Sequence, residues 1–323
     1  MKSLLAALFP SDCRICHASL FSVSRLPVCS SCIDSVVPIL QARCNVCGNV
    51  LARAEAAFGD ACCAQCASET PAYERAVNYG SYTGVLRQLI HLLKYERVRT
   101  AANLLGRFTA EACLHLEGDI DVPELLMIPV PVHKLRMRSR GFNQAELIAR
   151  AAQRGIEESI GRRLTLEVTT LLRVRFAESQ VALDAEARRQ QIRGAFKVTD
   201  RERVKGREIL LVDDVLTTGA TASECARELR HAGALRVWVA TPARALARVA
   251  LESWVDSKAE PDCSALENEA VLRSSSLFAM SSLSISDQFL PGTARGSLLL
   301  QRGIPSTCGE QRVGGRTVRP GLL

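Results

Sequence analysis

Two adjacent carboxylates, Asp213 and Asp214, stand at the end of a short apolar run, residues 209–212, and lead through Val215 and Leu216 into Thr217, Thr218, Gly219, Ala220 and Thr221. A carboxylate pair only accepts hydrogen bonds, which suits it to vicinal hydroxyls such as those of a ribose. A small hydroxyl-rich loop, with a glycine free to turn left-handed, can point successive backbone N–H groups inward and cradle an anion. Residues 222–231 have helix-forming composition, so the anion would also lie at a helix N-terminus. Hydroxyl-reading acids and a phosphate-reading loop thus fall within the length of one sugar phosphate. Ordinary turn and capping chemistry accounts for one Asp and one Thr, but not for the Asp-Asp pair together with the Thr-Thr-Gly-x-Thr run.

In this strand-loop-helix setting the run VDDVLTTGAT, residues 212–221, resembles the phosphoribosyl pyrophosphate (PRPP) motif of type I phosphoribosyltransferases. The resemblance implies that Asp213 and Asp214 bind the ribose hydroxyls and that Thr217, Thr218, Gly219, Ala220 and Thr221 bind the 5′-phosphate. Hypoxanthine-type members carry an Asp where Thr217 stands, so the purine-deprotonating carboxylate of that branch is missing.

A second chemistry occupies the front of the chain. Eight of its 13 cysteines form four CxxC pairs: Cys13/Cys16, Cys29/Cys32, Cys44/Cys47 and Cys63/Cys66, with Cys62 beside the last. Each CxxC sets two thiolates on one tight turn, and two turns complete a tetrahedral site, so eight ligands predict about two structural Zn²⁺ ions. Sequential pairing, first with second and third with fourth, is the expectation, although spacing also permits an interleaved arrangement. Sulfur at every position leaves no place for substrate, which argues against a catalytic zinc. Four CxxC pairs in series point to metal in a reducing, cytoplasmic setting rather than to disulfides.

The elements that must position these groups follow from periodicity. Residues 1–70 read as a double zinc ribbon, 71–247 as an α/β domain and 248–323 as a Ser-rich tail with little periodicity, either disordered or the product of a shifted reading frame. Within the middle part, strands are expected over 73–79, 125–130, 194–198 and 237–240, and helices over 83–93, 101–116 and 222–231. His91 reads as a surface or cap residue and Cys113 as core. Residues 3–9 read as a short docking helix rather than a signal peptide, and no apolar run approaches the roughly 20 residues that span a bilayer.

The strand over 125–130 runs into Pro129, Val130, Pro131, Val132 and His133, then into the basic loop Lys134, Arg136, Arg138 and Arg140, and Gly141-Phe142-Asn143-Gln144 opens a helix reaching Ala152. A basic cluster at a strand's carboxyl end is where an open parallel sheet meets a polyanion. The run PVPVHKLRMRSRGFNQAE, the four CxxC pairs and VDDVLTTGAT together resemble the competence protein F (ComF) family from about Phe9 to about Arg244. That resemblance implies a type I phosphoribosyltransferase-like fold: an open, mostly parallel sheet with flanking helices behind a small Cys-rich zinc-ribbon module. It further implies that Pro129 to His133 and Arg140 face the pyrophosphate of PRPP, and that Gln180 and Arg188 match family positions. Residues 162–198, a basic mobile-looking stretch with Arg173, Arg175, Glu178, Arg189 and Arg193, would serve as a lid.

A net charge of +7 suits polyanionic ligands. Neither GxxxxGK[ST] nor GxGxxG occurs, so ATP hydrolysis and NAD chemistry lack a motif. Two functions fit: transfer of phosphoribosyl from Mg²⁺-bound PRPP to an acceptor with release of pyrophosphate, with no residue identifying a nucleophile, or a non-catalytic competence factor. The second would assist uptake of single-stranded DNA in natural transformation, with DNA-uptake machinery as partners.

Overall fold

The computed structural model describes residues 11–20, 25–51, 61–176 and 190–246. The expected helix over 3–9, the residues Glu178, Gln180, Arg188 and Arg189, and the tail with Cys263 and Cys308 lie outside them.

The sequence's apolar runs assemble a five-stranded parallel sheet. In chain order its strands are β3 (Arg75–Ser81), β4 (Glu124–Pro129), β5 (Arg163–Leu166), β8 (Glu208–Val212) and β9 (Arg236–Arg244), arranged in space as β3-β9-β8-β4-β5. Alternation along the strands fills two layers. Leu125, Met127, Leu210, Val212, Trp238 and Ala240 face one core. Leu126, Ile128, Ile209, Leu211, Val237 and Val239 face the other. The first core receives α3 (Gly84–Lys94), α4 (Ala101–Cys113) and α6 (Gln144–Ile160). On the second packs α7 (Ala220–His231), with a hairpin of β6 (Leu171–Arg173) and β7 (Phe196–Val198). Gly106 and Gly155 let α4 and α6 approach closely: a Cβ at Gly155 would stand 2.9 Å from the Ala110 Cβ.

From β4 the chain crosses to β5 at one side, and from β8 it crosses to β9 at the other. The carboxyl ends of β4 and β8 are therefore the sheet's switch point, where open α/β sheets leave a crevice for ligands.

In front of the sheet lie β1 (Ser11–Asp12), β2 (Ser19–Leu20), α1 (Ser30–Asp34) and α2 (Ala64–Ser68) around the cysteines. Residues 39–48 run along the β3 edge: Ile39 N–H donates to Tyr79 at 2.8 Å, Ala76 N–H to Val46 at 2.7 Å, and Arg43 to the Asn78 carbonyl at 3.1 Å. The ribbon thereby covers a strand edge that would otherwise be open.

Three expectations shift. The basic stretch after Pro131 is a helix, α5 (Lys134–Arg140), rather than a loop. His133 Nδ1 caps it by accepting from Leu135 N–H, and Gly141 ends it at φ 80°. Residues 163–173 of the mobile-looking stretch contain two strands, because Leu164 and Leu171 are drawn into the core. The last strand runs on to Arg244 despite Pro242, which lies beyond the last pairing with β8 and is passed over in the pairing with β3, between Asn78↔Thr241 and Gly80↔Ala243.

Candidate functional site

The carboxyl end of β8 delivers Asp213 and Asp214. Asp214 is buried, and its Oδ1 accepts from Lys94 Nζ at 2.7 Å. Lys94 is the last residue of α3, four positions after Ile90 on the helix's buried face. Burial works against its charge, but the neighbouring Asp214 carboxylate outweighs that and holds the ammonium above its ordinary pKa. Asp214 Oδ2 is buried without a partner among the described residues, an acceptor with room for one donated proton. Asp213 Oδ1 accepts the Asp214 N–H at 2.8 Å. Burial, and then the Asp214 charge beside it, push the Asp213 carboxyl up from an ordinary 3.8 to about 7.

The loop that follows is half-exposed at Thr218 and exposed at Thr217, while Gly219 is buried. Gly219 adopts φ 80°, and a Cβ there would stand 2.9 Å from the Tyr73 hydroxyl, so both conformation and space demand glycine. Among the described residues the N–H groups of Thr217, Thr218 and Gly219 donate to no protein acceptor, while Leu216 N–H bonds Ala243 and Ser223 N–H bonds Gly219. Three unengaged amides ahead of a twelve-residue helix are a geometry that suits an anion.

Across the crevice, Pro129 pairs with Val212, and Val130 N–H donates to Val212 at 2.8 Å, so the segment from Pro129 to His133 starts beside the acidic pair. Asn143 Nδ2 fixes it by donating to the Val130 carbonyl at 3.1 Å. Arg140 sits farther along: it donates to Gln144 at 3.1 Å, and its guanidinium lies 5.4 Å from the Tyr95 ring centroid. Arg173, on β6, enters from the hairpin. Burial and the nearby Arg136 pull its pKa below the ordinary value, Asp213 opposes them, and its Nε is buried without a partner among the described residues. Arg173 read in the sequence only as one charge in a basic stretch. Lys94 had a legible signal, a lysine on the apolar stripe of its helix.

The eight expected ligands form two separate groups, Cys13/Cys16/Cys29/Cys32 and Cys44/Cys47/Cys63/Cys66, with the sulfurs of each within 4.8 Å of one another. Pairing is sequential, and Cys63 rather than Cys62 belongs to the second group. Sulfur separations of 3.9 Å for Cys13–Cys32, and 3.6 Å for both Cys16–Cys29 and Cys47–Cys63, are far longer than a disulfide. They fit the edge of a tetrahedron with Zn–S bonds of about 2.3 Å, roughly 3.8 Å. Backbone N–H groups of Cys29 and Cys63 approach Cys13 and Cys44 sulfurs at 3.3 Å, the usual support of metal-bound thiolates. Elemental mass analysis of protein purified without chelators is expected to find two zincs per chain; none would refute both centres.

Residues 4–76 match the double zinc ribbon domain family and residues 155–260 the phosphoribosyl transferase domain family. The chain is similar to the DNA utilization protein YhgH of Salmonella typhimurium, 30% identical over 232 residues, covering 71% of this chain and 95% of that relative. It is also similar to Competence protein F of Haemophilus influenzae, 29% identical over 237 residues, covering 71% of this chain and 96% of the relative. Similarity to Competence protein ComFC of Bacillus subtilis is 24% identity over 153 residues, covering 47% of this chain and 57% of that protein. Among the described residues, no helix is long and apolar enough to cross a membrane.

Proposed function

Because the chain belongs to the ComF family, in which a double zinc ribbon precedes a phosphoribosyltransferase domain, we propose that it binds PRPP at the β4–β8 switch point and transfers phosphoribosyl to an acceptor. The observation that carries this reading is the orphaned, buried Asp214 Oδ2 beside a loop of three unengaged amides. One side of the crevice lacks a hydroxyl donor and the other lacks an anion, and a ribose 5-phosphate supplies both. Asp213 and Asp214 hold the ribose hydroxyls, and residues from Thr217 to Thr221 hold the 5′-phosphate. Residues from Pro129 to His133, with Arg173 and Arg140, face the diphosphate.

Departure of diphosphate builds positive charge on the ribose ring and negative charge on the leaving group. Mg²⁺, when bound with PRPP, neutralises the diphosphate, and the oxygen-rich crevice suits such a hard cation. Arg173 offers a fixed cation on the same side, and Lys94 orients the Asp214 carboxylate through their 2.7 Å contact. Residues 1–70 act as the ribbon module and 71–247 as the transferase part, in a cytoplasmic protein.

Pyrophosphate release on incubation with PRPP, Mg²⁺ and a panel of nucleobases and amines tests turnover. Release with one acceptor is expected; PRPP binding without release from any would favour the second reading, a non-catalytic competence factor handling single-stranded DNA. One observation favours that alternative. Around α5, guanidinium groups alternate with rings: Arg136 lies 5.9 Å from Phe176, Arg140 5.4 Å from Tyr95 and Arg99 5.0 Å from Phe142. Tyr95 and Phe176 are exposed, whereas Phe142 is buried, and exposed rings among cations are how single strands are stacked and held.

A further inference from the structure

Arg244, the last residue of β9, is 3% exposed, yet no carboxylate pairs with it among the described residues. Its NH1 donates to the carbonyls of Leu216 and Ala245, both at 3.0 Å, and to that of Thr217. Its NH2 reaches Cys47 Sγ at 3.7 Å. A buried guanidinium needs an opposite charge. Cys47 belongs to the second group of four thiolates, which outweigh one divalent cation and leave that centre net negative.

Two of the three carbonyls that Arg244 gathers, those of Leu216 and Thr217, lie at the start of the anion-binding loop. In a planar trans peptide the C=O and the following N–H point opposite ways. Holding the Leu216 and Thr217 carbonyls toward the ribbon therefore turns the Thr217 and Thr218 amides toward the crevice. Gln65 continues the pattern: its Nε2 donates to the Thr218 carbonyl at 3.3 Å, turning out the Gly219 amide. Gln65 lies between Cys63 and Cys66 on α2. Three successive carbonyls are thus engaged: those of Leu216 and Thr217 by Arg244 beside Cys47, the Leu216 one also by Ala245 N–H at 2.9 Å, and that of Thr218 by Gln65 of the ribbon; the three amides that follow them are those without a protein partner.

We propose that Arg244 is a positioning residue whose counter-charge is the second cysteine centre, so that metal at that centre sets the shape of the anion loop. The proposal rests on the reading of that loop as the phosphate site, but its conformational half stands without any ligand. Loss of metal, or oxidation of these thiolates, would then open the phosphate nest from behind and weaken PRPP binding without touching a PRPP contact.

Hydrogen exchange over residues 215–223, read by mass spectrometry on the full-length, zinc-loaded chain without PRPP, tests it. Arg244→Met is expected to speed exchange there about tenfold, with strand 124–129 still protected and both zincs retained. Withdrawing zinc from the unaltered chain should give at least the same acceleration, and withdrawing it from Arg244→Met should add only the smaller part that Gln65 supplies. Unchanged exchange in Arg244→Met, or a full second acceleration on zinc withdrawal from that variant, would overturn the coupling. Should Arg244→Met lose strand protection, Arg244→Lys replaces it: accelerated exchange with zinc retained supports the coupling, and unchanged exchange overturns it. Calorimetry of the unaltered chain with PRPP and Mg²⁺ separates the two claims. No heat there would remove the PRPP reading, while the exchange comparison would still decide the link between ribbon and loop.

Discussion

Changing Asp213 and Asp214 together to asparagine is expected to weaken PRPP binding by about 100-fold or more in a chain that still folds, though with lower stability because Lys94 loses its buried counter-charge. Each charge-assisted hydrogen bond to a ribose hydroxyl is worth roughly 1.5–3 kcal/mol, so losing two removes about that factor. Calorimetry with PRPP and Mg²⁺, beside a circular dichroism spectrum, checks it; unchanged affinity would move the ribose elsewhere. Asp213→Asn alone should also reveal a cost of the site. The Asp213 carboxyl is raised from an ordinary 3.8 to about 7 by burial and by Asp214, so the folded chain keeps a proton that the unfolded chain releases. Stability therefore declines as pH rises from about 4 to about 7, by an amount on the order of a few kcal/mol. Above pH 7 the asparagine variant should melt higher than the parent, and near pH 4 the two should coincide. A parent as stable as Asp213→Asn at pH 8 would mean that the carboxylate is better compensated than its surroundings indicate.

That cost marks where sequence and structure part company. Short continuous apolar runs and the VDDVLTTGAT spacing suffice for the buried parallel strands and the glycine loop ahead of a helix, because both follow from local backbone chemistry. The CxxC spacing likewise gives two four-sulfur centres in sequential order. Other features depend on pairs far apart in the chain. The basic run after Pro131 becomes α5 through a His133 cap and a left-handed Gly141, and a density of arginines alone does not show such a cap. Lys94 meets Asp214 across 120 residues, and Arg244 meets Cys47 across 197. Only the sheet order, which brings β8 beside β9 and lays the ribbon against β3, creates those contacts.

Lys94→Met is expected to cost about 3–5 kcal/mol of stability, because it leaves a buried carboxylate without its cation. The side chains of this pair are only 16% and 6% exposed, so solvent screens it little. Removing the carboxylate as well, in Lys94→Met/Asp214→Asn, should recover most of the loss, since a neutral amide tolerates the site better than an unpaired charge. Thermal or urea unfolding of the single and double variants measures the coupling. If Lys94→Met alone unfolds like the parent, the ion pair does not hold in solution. The same comparison bears on function. Lys94 is too valuable to the fold merely as a surface charge, but its partner's remaining oxygen, Oδ2, has no donor among the described residues. A carboxylate held by a cation on one oxygen and left open on the other is poised to receive a hydroxyl, so the double variant should regain stability and still fail to bind PRPP.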